Sequence, residues 1–249
     1  MPAAYGITIT MSQETVAYLQ RAGFVLYAFK AVRSPASGWP LVWSRTESFQ
    51  LSTPISWSGE YQAYTSIDSR LAPGRRVTAS FSDGIGSGQA LVVMDHEGTG
   101  EVRPGPDPRA IAIQNHTTAQ FACGISQEIG GAVPPLCAFA LPGNAEVPII
   151  PIEKVFLTFS TQSLDTGAVV EQSASQGALV DLTDRATRTV EYAVDRGWTP
   201  KPGVEVVAPG TDLVSLLIGS DERHGRGPAG GGGRRGAGVR RVESDGTAG

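Results

Sequence analysis

Short apolar runs that alternate with polar positions, separated by glycine- and proline-rich turns, dominate this chain. Residues 7–11 alternate apolar and polar side chains, and residues 24–32 form a longer run rich in aromatic and β-branched residues. Both patterns are typical of β-strands. Residues 13–22 fit a short helix with Ser12 as its N-cap, but they fit a strand nearly as well. The pattern therefore predicts an all-β fold with one undecided segment between its first two strands.

The same reasoning predicts strands along the rest of the chain, with Asp-Gly and Pro-Gly pairs at the turns. In the first half they cover residues 42–44, 48–51, 61–66, 76–81 and 89–94, and the glycine-rich segment 83–88 is predicted to be a hairpin connection. In the second half they cover residues 110–115, 120–126, 137–141, 153–161, 169–175 and 178–182, followed by a hairpin of residues 187–194 and 213–218.

The two halves share a pattern. Adding 95 to a residue number matches five positions of the first half with the second: Pro40-Leu41 with Pro135-Leu136, Ile55 with Ile150, Trp57 with Ile152, Tyr61 with Phe156 and Tyr64 with Phe159. An offset of 104 matches residues 7–9 with 111–113, and an offset of 88 matches residues 90–92 with 178–180. Repetition of this kind indicates a copied structural unit. We therefore predict two tandem, internally duplicated β-sandwich domains, 1–105 and 106–219, joined by a linker at 98–108 and followed by a disordered Gly/Arg-rich tail, 220–249.

Composition narrows the function only a little. Hydrophobic residues make up 41% of the chain, which is enough for a core, and the formal net charge is −4. That charge gives no general attraction to nucleic acid, and we expect no nucleic-acid partner, because acidic residues dilute the arginines of the tail. No signal peptide or long apolar run is evident, so the default expectation is a soluble, cytoplasmic protein.

Residues suited to metal or redox chemistry are scarce. The three histidines, His96, His116 and His224, are not at metal-ligand spacing, and Cys123 and Cys137 are too few for a disulfide framework. These two cysteines could form one bridge between neighbouring strands or remain buried free thiols. We predict no metal and no cofactor.

One tripeptide carries a resemblance to a known family. Asp165-Thr166-Gly167 resembles the Asp-Thr-Gly signature of aspartic proteases, and residues 216–219 resemble the apolar-apolar-Gly element of the retroviral members. The resemblance implies hydrolysis through Asp165 with a second aspartate from a homodimer. The alternative is a turn that needs a glycine, since the repeat aligns Gly167 with Gly74.

Two tryptophans are the leading candidates for ligand contact. Trp39 and Trp198 lie beside glycine or proline in predicted loops and have no apolar counterpart in the repeat. Rings of this kind are suited to a sugar face or a protein partner. The hypothesis is a non-enzymatic binding or interaction protein, lectin-like, that meets a carbohydrate or protein surface. The alternatives are a membrane-active β-sandwich toxin that inserts residues 13–22, and an aspartic-protease-like hydrolase.

Overall fold

The computed structural model of the protein describes residues 4–219. These residues form two β-sheets that pack together, with 53% strand and only 6% helix. The prediction of an all-β fold is confirmed. The predicted tail lies outside the described residues.

The first sheet contains eight strands. They are β1 (Ala4–Thr10), β3 (Gly38–Pro40), β5 (Ser52–Ser66), β6 (Phe81–Ile85), β10 (Phe121–Ile129), β11 (Cys137–Leu141), β14 (Thr187–Ala193) and β15 (Gly197–Trp198). Their order is β15, β14, β1, β5, β10, β11, β3, and β6 also pairs with β5.

The second sheet contains nine strands. They are β2 (Val25–Arg33), β4 (Ser44–Thr46), β7 (Gln89–Val93), β8 (Gly100–Pro104), β9 (Ile111–Asn115), β12 (Glu146–Ser160), β13 (Gly177–Asp181), β16 (Val204–Val207) and β17 (Ile218–Gly219). The order β16, β13, β12, β9, β7, β8 is completed by β2, which pairs with β12, β4 and β17.

Two short helices flank the sheets. Helix α1 (Gln13–Arg21) is preceded by its N-cap Ser12, whose hydroxyl accepts a hydrogen bond from the Thr15 backbone amide. This N-cap stabilises the first turn, so the segment for which the sequence left helix and strand open is a helix. Helix α2 (Leu213–Leu217) replaces the predicted strand at 213–218. That prediction was wrong because the Asp212 carboxylate caps the backbone amides of the first turn.

The long strands β5 and β12 organise both sheets. Each has fifteen residues. Strand β5 pairs with β1 and β6 along one edge and with β10 along the other. Strand β12 pairs with β13 along one edge and with β2 along the other, and its first four residues pair with β9. Strands on either side of residue 105 therefore pair with each other in both sheets, as β10 does with β5 and β2 does with β12. The domain boundary at residue 105 stays a prediction.

Several local predictions were wrong. The predicted linker at 98–108 contains strand β8, which is hydrogen-bonded to β7. The predicted connection at 83–88 lies partly in β6, because pairing with the edge of β5 outweighs the turn tendency of Asp83-Gly84. Residues 48–51 and most of 76–81 and 169–175 lie outside the strands, and β5 begins only at Ser52.

The two cysteines are free and buried in the core. Cys137 lies in β11 and Cys123 in β10, where Cys123 is paired with Phe139. Burial raises the pKa of both thiols, that of Cys137 to about 12. Of the two arrangements that the sequence left open, the structure has the free thiols.

Candidate functional site

Strand β2 carries a buried lysine. Lys30 is fully buried, and its ammonium lies 2.6 Å from the Glu153 carboxylate, whose side chain is 18% exposed. The register of β2 against β12 shifts here: Ala31 pairs with Ile152 and Lys30 with Val155, so that Glu153 lies in a β-bulge. A bulge re-aims side chains locally, which explains why this carboxylate can meet the lysine.

Three aromatic rings surround the same ammonium. The Lys30 Nζ atom lies 5.0 Å from the ring centroid of Trp57, 5.5 Å from that of Trp43 and 5.9 Å from that of Tyr5. Distances of this size give favourable cation–π attraction, which is strongest where water is excluded. Trp57 meets Trp43 edge to face at 5.2 Å and is stacked on Tyr5 at 5.9 Å. The rings therefore form a cage that holds the lysine side chain.

Hydrogen bonds extend the cage. The Tyr61 hydroxyl donates to Glu153 Oε1 at 2.8 Å, the Gln127 side-chain amide donates to the Ser58 carbonyl at 2.7 Å, and the Trp43 indole donates to the Gln127 carbonyl at 3.1 Å. We name this group the ammonium cluster; its members are Tyr5, Lys30, Trp43, Trp57, Tyr61, Gln127 and Glu153.

The electrostatics of the ammonium cluster follow from burial. Burial lowers the pKa of Lys30, and the neighbouring Glu153 carboxylate opposes that change. Burial, reinforced by the Glu153 charge, raises the pKa of Tyr61 well above its ordinary value. Tyr61 therefore stays protonated as a donor at neutral pH.

Three polar atoms at or beside the cluster lack a hydrogen-bond partner. They are Trp57 Nε1, Ser58 Oγ and Gln127 Oε1, and the only further such buried side-chain atom among residues 4–219 is Trp198 Nε1. An unpaired buried polar group costs about 1–3 kcal/mol, so three at one place need an explanation. They mark this region as one with unused hydrogen-bonding capacity.

A surface depression adjoins the cluster. This aromatic groove has a volume of about 420 Å³ and is lined by Ala4, Tyr5, Ser56, Trp57, Ser58, Glu128, Ile129 and Gly130. Tyr5 and Trp57 belong to both the groove and the ammonium cluster. The three unpaired atoms are themselves buried, and Gln127 does not line the groove.

The tryptophans predicted from the sequence lie elsewhere. Trp39 is in strand β3, half-buried, and packs on a small cluster that contains Leu41 and Tyr64. Trp198 is in strand β15, only 3% exposed, and stacks on Phe159 at 5.4 Å. The predicted loop position was wrong for both, since each pairs within a sheet. Their role in binding stays a prediction.

Asp165 lies in an exposed turn. Its side chain is 69% exposed and lies 3.8 Å from the Arg45 guanidinium. Gly167 has a φ of 84°, a conformation that favours glycine, and its amide donates to the Val42 carbonyl at 2.8 Å. Gly74 has a φ of 79° and is the matching glycine of the predicted repeat. The backbone geometry accounts for both glycines as turn residues.

The sequence interpretation missed the ammonium cluster, although one signal for it is present. Lys30 is the single charged residue in the apolar run 24–32, and an isolated charge in a buried strand must find a partner. The partner, Glu153, is 123 residues away, and the bulge that orients it leaves no mark in the hydrophobic pattern.

Among residues 4–219 no three His, Cys, Asp or Glu side chains are placed to hold a metal ion. Within the same span no helix has the length and apolar character needed to cross a membrane.

Comparison of the chain with protein-family models, with curated proteins and with solved structures finds no match.

Proposed function

We propose that this protein is a non-enzymatic binding protein, lectin-like, whose aromatic groove receives a carbohydrate. The observation that carries the proposal is the aromatic groove itself, which combines two aromatic residues with the exposed polar residues Ser56 and Glu128. The groove also contains the half-buried Tyr5, stacked on Trp57.

The exposed polar residues of the groove define the chemistry of a matching ligand. The Ser56 hydroxyl can donate and accept a hydrogen bond, and the Glu128 carboxylate can accept one. A sugar hydroxyl both donates and accepts, so a polyhydroxylated ligand can pair with both groups. An aromatic ring that is partly exposed offers a surface on which an apolar sugar face can stack. Both features favour a carbohydrate over an apolar ligand.

The ammonium cluster supports the groove as a rigid base. The Lys30–Glu153 pair fixes the cage of rings from below, and preorganised rings lose little entropy when a ligand binds. Lys30 lies too deep for direct contact with a ligand in the groove, since it is fully buried. We assign it a positioning role. We also propose Trp39 and Trp198 as additional contact residues, with a protein surface as their ligand.

A titration with tryptophan fluorescence tests the proposal. The full chain is titrated with glucose, galactose, mannose and N-acetylglucosamine and with their short oligomers. Tyr5→Ala should weaken the best of these at least about tenfold, which corresponds to about 1.4 kcal/mol. Tyr18→Ala is the matched control, because Tyr18 is an exposed tyrosine on α1 outside the groove. Equal binding by the two variants, or no binding of any sugar at millimolar concentration, would contradict the proposal.

We propose in addition that the halves of the chain arose by duplication. Support comes from the pairing scheme: β1 pairs with β5 and β9 with β12, both antiparallel, and β1 and β9 each have a parallel neighbour from the other half, β14 and β7. The register differs from the repeat by one residue, since Ile7 pairs with Ile55 whereas Ile111 pairs with Ile149 and not with Ile150. On this proposal the copies are intertwined, so that residues of the ammonium cluster come from both.

A further inference from the structure

We infer that the ligand is a neutral oligosaccharide that extends from the aromatic groove into a second groove, which has Arg45 and Thr166 in its lining. This inference rests on the proposed function and adds to it the length and charge of the ligand. The second groove has a volume of about 380 Å³; its lining is Trp43, Ser44, Arg45, Thr46, Pro54, Ile55, Ser56, Ile129, Gly130, Ala132, Pro134 and Thr166.

The two grooves adjoin each other. Ser56, Ile129 and Gly130 line both of them, so these residues form a common boundary. Residues 54–58 of β5 run beneath the pair and span about 13 Å at the rise of an extended strand. A single hexose ring is shorter than this path, and a chain of two or three rings matches it.

The side chains of the second groove suit hydroxyl groups. Four hydroxyls, those of Ser44, Thr46, Ser56 and Thr166, line it together with the Arg45 guanidinium. The aromatic groove offers ring surface together with the exposed Ser56 and Glu128, while the second groove offers several small polar residues. A polyhydroxylated chain meets both sets of requirements along its length.

The charge beside Arg45 indicates a neutral ligand. Its guanidinium is in contact with Glu47 and lies 3.8 Å from Asp165, and both carboxylates are exposed. One positive charge between two negative charges leaves the rim with a net negative charge. An anionic sugar would meet repulsion there, whereas the carboxylates can accept hydrogen bonds from neutral hydroxyls.

Calorimetric titration with saccharides of increasing length tests the inference. The probes are the β-1,4-linked glucose and N-acetylglucosamine series from one to four units, added to the full chain. Affinity should rise at least tenfold from one unit to three. Thr166→Val, which removes the hydroxyl and keeps the shape, should weaken the trisaccharide about threefold to tenfold and leave the monosaccharide unchanged. Thr161→Val, an exposed threonine outside both grooves, is the matched control.

The outcomes separate this inference from the proposed function. If a monosaccharide binds and the trisaccharide binds no better, the second groove is not part of the site and the inference falls, while the proposed function stands. If Thr166→Val and Thr161→Val behave alike toward the trisaccharide, the inference falls in the same way. A sulfated or uronic-acid oligomer that binds more tightly than the neutral series would overturn the assignment of charge. If no saccharide binds, both this inference and the proposed function are contradicted.

Discussion

Replacement of Glu153 by glutamine is the sharpest test of the ammonium cluster. The substitution keeps the size and the hydrogen-bonding reach of the side chain but removes the charge that faces Lys30. The Lys30 ammonium is fully buried and lies 2.6 Å from this carboxylate. In Glu153→Gln it has only the rings at 5.0–5.9 Å to offset its charge.

The structure sets the size of the effect. Removal of one partner of a buried ion pair costs about 3–5 kcal/mol. The variant can avoid an unpaired buried charge if Lys30 releases its proton. From an ordinary pKa of 10.5, this deprotonation costs at most about 5 kcal/mol at pH 7. Because the Glu153 side chain is 18% exposed, water can approach the pair and reduce the penalty. We expect a loss of about 3 kcal/mol in the free energy of unfolding.

Urea unfolding at pH 7, followed by tryptophan fluorescence, measures this loss. The control is the double variant Lys30→Met with Glu153→Gln, which leaves no buried charge and should be more stable than Glu153→Gln alone by at least about 1 kcal/mol. A cost below about 1 kcal/mol for Glu153→Gln, or a double variant that is the less stable of the two, would refute the reasoning.

The pH dependence has a definite sign. Burial lowers the pKa of Lys30 in the folded state, so the unfolded chain binds more protons between that pKa and 10.5. Stability must therefore rise with pH across this window. The rise should be steeper in Glu153→Gln than in the double variant, which lacks the lysine. Equal slopes for the two variants would show that Lys30 does not titrate as a buried amine.

Three further predictions follow from the fold. Gly38→Ala should destabilise the protein by about 1–3 kcal/mol in thermal or urea unfolding, because a Cβ there would lie 2.2 Å from the Phe139 ring. Gly84→Ala is the control: its Cβ would meet nothing within 4 Å, and the substitution should cost less than about 1 kcal/mol. Cleavage of the full chain at a protease site inserted in the turn 106–109 should leave both pieces in one particle on size exclusion, because strands from the two sides pair in both sheets; separation would contradict the intertwined arrangement. Asp165→Asn should change stability by less than about 1 kcal/mol, as expected for an exposed ion pair, and a loss of proteolysis at acid pH in this variant would revive the hydrolase alternative.

The sequence predicted the class of fold but not its connectivity. Alternation in residues 7–11 and the apolar run 24–32 identified strands, because burial on a sheet imposes those patterns. Pairing between distant strands, such as β1 with β14, leaves no local pattern. Two tandem sandwiches and one pair of sheets with strands from both halves therefore look alike in the sequence.

The candidate site could be predicted even less. The repeat aligns Trp57 with Ile152 and Tyr61 with Phe156, which is typical of core positions. Trp57 does lie in the core, and it also contacts the Lys30 ammonium, which the repeat gives no sign of. The glycine before Trp198 predicts a loop, yet Trp198 lies in strand β15 and its ring stacks on Phe159. A neighbouring glycine indicates only that the backbone is conformationally free at that point. Whether the tryptophan ring is exposed depends on the strands that pack against it. The position of Glu153 depends on a bulge, which only the pairing of β12 with β2 reveals.

The most direct test of the central claim is the set of indole signals in an amide-proton NMR spectrum. The chain has four tryptophans, and single Trp→Phe variants assign their four Nε1–H signals. During titration with the tightest-binding neutral oligosaccharide, the Trp57 signal should shift while those of Trp39 and Trp198 stay in place. A titration that leaves Trp57 unmoved and shifts Trp39 or Trp198 would place the site elsewhere and contradict the account.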